Sequence, residues 1–150
     1  MAQPQRQYVE TPAALRTRTV RRIGPSPAWE AYQTLRFAFT ATPIIAGLDK
    51  FFGFLVNWQQ YLAPGISSRI PVSADVVMMG VGVVEIIAGL SVAMKPRIGG
   101  FIVAAWLCGI VVNLLLIPGY YDIALRDLGL VLGAVALARL ARQFDYAITG

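Results

Sequence analysis

The sequence predicts an all-α integral membrane fold: a four-helix bundle with a short interfacial helix after its first span. Three observations predict it. Of 150 residues, 57% are hydrophobic and only 14% are charged, where an ordinary soluble domain carries about a quarter charged residues. Four apolar segments of spanning length, near 28–52, 72–94, 98–117 and 121–142, use most of the chain after residue 27. The basic residues, finally, gather at the ends of these segments. Arg6, Arg16, Arg18, Arg21 and Arg22 precede the first, Lys95 and Arg97 separate the second from the third, and Arg139 and Arg142 close the fourth. Lys50, Arg69 and Arg126 fall on the opposite side, and Arg36 within a span. Such a bias retains the basic side in the cytoplasm. The expectation is a multi-pass protein of the bacterial cytoplasmic (inner) membrane with both termini inside.

Composition also excludes several functions. The net charge of +5 does not form a basic stripe interleaved with exposed aromatics, so no nucleic-acid partner is expected. With no histidine and Cys108 as the single cysteine, zinc, haem and iron–sulfur centres have no donor set. No metal and no covalently bound cofactor is expected, and four spans leave no room in these residues for a separate catalytic domain.

Residues 1–27 are arginine-rich and contain prolines 4, 12, 25 and 27, a composition that predicts a mobile cytoplasmic tail. Such a tail suits anionic lipid, where each basic residue adds about 1 kcal/mol, or a protein partner. A cleaved signal peptide is not expected, because no short apolar core with a small-residue cleavage site follows the charges. Span one opens at Pro27, and along it Arg36, Thr40, Pro43, Gly47 and Lys50 share one helical stripe. Residues 53–71 are too polar to cross and too aromatic for a plain linker. They predict an amphipathic interfacial helix ended by Pro64 and Gly65. Span two carries Gly82, Glu85 and Gly89 on one face, span three Ala105, Gly109 and Asn113, and span four Asp122, Arg126, Gly129 and Gly133. Residues 143–150 are expected as a cytoplasmic tail.

Helices in lipid associate through small residues and hydrogen bonds, so the glycines are expected to pack. Charges say more, because each costs about 2.5–3.5 kcal/mol at the centre of a span. Measured from the inner end of its own segment, Arg36 lies roughly 12 Å deep and Glu85 roughly 14 Å at 1.5 Å per residue. These two are expected to form an intramembrane ion pair, structural or functional. Lys50, Asn113, Asp122, Arg126 and Asp127 lie near the outer ends of their helices. One reading makes them a solvated rim. The other turns Lys50, Asn113 and Arg126 inward as a polar pocket, where converging donors near Trp58, Tyr120 and Tyr121 hold a quinone carbonyl or an anionic solute.

The runs LRFAFTATPIIAGLDKFF in span one, EIIAGL in span two and YYDIALRDLGLVLGAVALARL in span four resemble the DoxX-like family of small bacterial four-helix membrane proteins. The resemblance covers about residues 30–142 and aligns Arg36, Gly47, Lys50, Glu85, Gly89, Asp122, Arg126 and Asp127. The basic tail has no counterpart in it. The family's namesakes resemble small subunits of a thiosulfate:quinone oxidoreductase, and other members associate with membrane redox enzymes. The resemblance therefore implies a non-catalytic accessory subunit of a quinone-linked electron-transfer complex, respiratory or photosynthetic, with lipid and a larger membrane assembly as partners and a quinone or lipid as the bound molecule. Two further functions stay open: a small-solute or proton-coupled transporter built on Arg36 and Glu85, and a thiosulfate:quinone-type enzyme subunit with a quinone site of its own.

Overall fold

Capping residues set where the helices start and stop. In the computed structural model, which describes residues 26–145, the Trp29 amide donates to Ser26 Oγ at 3.2 Å and Pro27 takes the first position of α1, Pro27–Phe52. A proline's missing N–H costs nothing there. Gly53, at φ 65°, closes the helix by donating its N–H to the Asp49 carbonyl at 2.6 Å, in a left-handed conformation that favours glycine. A 3₁₀ turn, Trp58–Tyr61, and a single helical turn, α2 (Pro64–Ser67), follow. Three long helices complete the fold: α3 Ala74–Met94, α4 Pro96–Leu115 and α5 Tyr121–Asp145. No strand occurs among the described residues.

The long helices fall within three residues of their expected bounds. Residues 53–71 depart further, because the expected single interfacial helix is replaced by the two short pieces. Asp49 is the reason. Its Oδ1 accepts the amides of Phe54 and Leu55 at 2.9 and 3.1 Å, which holds the backbone in a turn where a helix would otherwise restart. Pro64 then opens α2 instead of ending a helix, at the one position where proline suits it. Most of the expected basic tail, 1–25, and residues 146–150 lie outside the described residues.

The long helices pack as two tight pairs, α1 on α3 and α4 on α5, joined along α3 and α4 and closed by a smaller contact of α1 with α5. In the first pair the backbones nearly touch. A Cβ on Gly47 would sit 2.6 Å from the Gly82 carbonyl, one on Gly82 2.6 Å from the Gly47 carbonyl, and one on Gly89 2.7 Å from that of Thr40. In the second pair a Cβ on Gly100 would sit 2.9 Å from the Ala134 carbonyl, where α5 presents a buried seam of Ala124, Val131, Ala134, Ala138 and Ala141. Close approach at small residues is how helices associate without a hydrophobic drive between them.

Packing is uneven along the bundle. Tyr32, Phe39, Val92, Val103, Leu137 and Ala141 fill one end, where Phe144 meets Trp29 edge-on at 5.1 Å and tilts against Tyr32 at 5.1 Å. The other end, around the C-terminus of α1 and the start of α5, is hollow. Large apolar side chains stand exposed on all four long helices, among them Phe37, Ile87, Val112 and Leu132. Two helices, α3 and α4, are long and apolar enough to cross a membrane, with mean hydropathies of 2.2 and 2.3.

Candidate functional site: a cavity beside a buried ion pair

The buried carboxylate of Glu85 finds its partner in Lys50, whose Nζ lies 2.6 Å from Oε2. Both side chains are nearly inaccessible, at 3% and 10% exposure. The lysine stem runs back along α1, so that Nζ also reaches the Ala46 carbonyl at 3.5 Å. Above it sits Trp58, with the ring centroid 3.6 Å from Nζ, an attraction strengthened by the absence of water. Trp58 is itself held by Asp49 Oδ2, which accepts its indole N–H at 2.7 Å. A chain of contacts thus runs from Asp49 through Trp58 and Lys50 to Glu85 and ties the end of α1 to the middle of α3.

The expected pairing of Arg36 with Glu85 is corrected. Arg36 Nη2 donates to the Ala93 carbonyl at 2.6 Å, satisfying one of the open carbonyls in the last turn of α3. Register explains the change. Arg36 meets Ala93, Thr40 meets Gly89 and Gly47 meets Gly82, so α1 projects about two turns beyond the end of α3 at 3.6 residues per turn. Depths counted from each helix's own end did not share an origin. Ala93 lies eight residues past Glu85, roughly 12 Å along the axis.

The expected outer pocket divides. Lys50, Asn113 and Asp127 line a cavity of about 570 Å³, together with Glu85, Trp58 and Trp106. Asn113 is engaged by the loop: its Oδ1 accepts the Ala63 amide at 3.1 Å and its Nδ2 donates to the Tyr61 carbonyl at 2.5 Å. Asp122 and Arg126 do not turn inward. Their side chains are 63% and 78% exposed, and they pair with each other at 3.5 Å. Gly133, on the same face of α5, does meet α1 at Phe39. One turn and more toward the outer end, however, α1 leans on α3 at Gly47 and Gly82, and a Cβ on Gly129 would meet open space.

Sequence reasoning missed two residues that organise the site. Asp49 is one, and an Asp at a helix end ahead of Gly53 and Trp58 is a signal for turn capture. Trp106 is the other. Its indole N–H is buried beside the Glu85 carboxylate without a hydrogen bond of ordinary geometry. A second cavity, of about 320 Å³, shares Glu85, Trp106, Leu107 and Ile110 with the first and continues between α1 and α5. Its wall includes the exposed residues Ala38, Thr42, Gly129 and Leu130. The two cavities therefore flank one partition made by Glu85 and Trp106.

The volume of the larger cavity lies within the range of about 300–1,000 Å³ of small-molecule sites, and its apolar lining with a few polar groups is of the same kind. Among the described residues no group of His, Cys, Asp and Glu is placed to hold a metal ion. Comparison with family models, curated proteins and solved structures found no match to this chain.

Proposed function

We propose that this chain is a non-catalytic, four-span membrane protein that holds an amphiphilic small molecule in the cavity beside the Lys50–Glu85 pair. The observation that carries the proposal is the distribution of side chains: apolar groups outside, and inside a mostly apolar cavity walled by a buried ion pair and two tryptophans. Intramembrane ionisable residues face the interior of a bundle and mark binding sites there. Four crossings extend the two that α3 and α4 support by composition, and the charge-free middles of α1 and α5 favour them. α1 carries no charge from Phe37 to Leu48, and its Asp49 and Lys50 are buried and partnered. α5 carries none from Leu128 to Ala138.

The experiment is purification in mild detergent followed by extraction and mass analysis of what is bound. Wild type is expected to retain an amphiphile that Gly109→Trp loses. Gly109 lines the cavity, and a Cβ there meets nothing within 4 Å, so the variant fills space without displacing a helix. Identical extracts from both proteins would contradict the proposal.

A second reading keeps the accessory role that the DoxX-like resemblance implies, with the buried Trp106 N–H, which makes no hydrogen bond of ordinary geometry, as a donor to a quinone carbonyl. Copurification with a membrane redox complex, and loss of its bound quinone in Trp106→Phe, support this reading. A chain that elutes alone, with no redox complex altered by its deletion, excludes it.

A further inference from the structure

The charges around the larger cavity do not cancel. Its lining contains three residues that are charged in their ordinary state, Lys50, Glu85 and Asp127, and two of them neutralise each other at 2.6 Å. Lys50 is already engaged by Glu85, the Ala46 carbonyl and the Trp58 ring. Asp127 is half-buried on the facing helix and has neither an ion pair nor a hydrogen bond among the described residues. Arg126, next to it in the chain, points away and binds Asp122 on the outer surface. One uncompensated carboxylate therefore faces a cavity whose other walls, apart from the Lys50–Glu85 pair and Asn113, are apolar or aromatic.

An anionic head would meet this carboxylate and the one on Glu85, with Lys50, the cation in the lining, already engaged. A cationic head meets an unpaired carboxylate and the ring of Tyr61, which attracts cations further. The surrounding Val77, Val81, Ile110 and Leu114 accept an apolar body. The second cavity stands on the far side of the Glu85–Trp106 partition and is walled on the α1–α5 face by exposed residues.

We infer that the cavity between the 3₁₀ turn, α3, α4 and α5 is a binding site for a lipophilic organic cation, with Asp127 as the counter-charge to its head. This rests on the cavity reading above and deepens it by fixing the sign of the ligand.

Two probes of the same shape and opposite charge separate the possibilities. Tetraphenylphosphonium and tetraphenylborate are titrated against the purified full chain in detergent, with Gly109→Trp as the baseline for partition into micelles. The expected result is saturable binding of the cation at least about tenfold tighter than that of the anion, with the preference abolished in Asp127→Asn. Equal affinity for both ions, or a preference for the borate, overturns the charge assignment and leaves the cavity reading standing. No binding of either ion above the Gly109→Trp baseline overturns both. Should Asp127→Asn fail to fold, the comparison of the two ions on wild type still decides the sign.

Discussion

Removing the carboxylate of Glu85 strands a cation in the interior, because the Lys50 side chain is only 3% exposed. Breaking a buried pair from one side costs about 3–5 kcal/mol, whereas replacing both partners with apolar groups is often neutral. Glu85→Ala is therefore expected to destabilise the protein by about that much in denaturant titrations in detergent, and Lys50→Met with Glu85→Leu to recover most of the loss. Equal destabilisation by the single and double variants would show that the two groups do not couple. The neighbouring Asp49 acts through its geometry. Its carboxylate accepts from Phe54, Leu55 and Trp58, and charge-assisted bonds of this kind are worth about 1.5–3 kcal/mol each. Asp49→Ala is expected to red-shift Trp58 emission and to speed amide exchange at Phe54 and Leu55. Unchanged exchange there would mean that the turn is held by something else.

Among helices, contact distance sorts glycines that look alike in sequence. Gly47 and Gly82 face each other's backbone at distances no side chain tolerates, while Gly109 and Gly129 face open space. Overpacking a close contact costs about 1–3 kcal/mol or more. Gly47→Leu should therefore lower the unfolding midpoint strongly or prevent folding, and Gly109→Leu should change it little. The reverse order would contradict the α1–α3 register. That register also marks how far the sequence could be read. The stripe of Arg36, Thr40, Gly47 and Lys50 was legible from spacing alone, since a helix puts such positions on one face, and it does lie against α3. Which residue of α3 meets which of α1 was not legible, because spacing within a helix says nothing of the axial offset between two. The error put Arg36 beside Glu85, when it is the long lysine from the outer end that reaches there. On α5, small residues mark two faces, one through Gly129 and Gly133 and another through Ala124, Val131, Ala134 and Ala138. Only packing shows that the alanine face meets α4 while the glycine face is half open at Asp122 and Arg126.

For the molecule as a whole, composition and the ends of its apolar segments were enough to predict an all-helical chain with helix bounds close to those observed. Three lining residues of the larger cavity, Lys50, Asn113 and Asp127, were legible in the sequence, but the size of the cavities was not, because they arise from uneven packing of helices whose apolar residues look uniform along their length. The whole account depends on α1 and α5 crossing a membrane beside α3 and α4. Single cysteines at Ser26, Ser68, Lys95, Pro118 and Gln143, introduced with Cys108→Ser, can be labelled by a membrane-impermeant maleimide in vesicles of each orientation. Four crossings predict that positions 26, 95 and 143 react from one side and 68 and 118 from the other. Labelling of position 26 or 143 from the same side as 68 and 118 would contradict them.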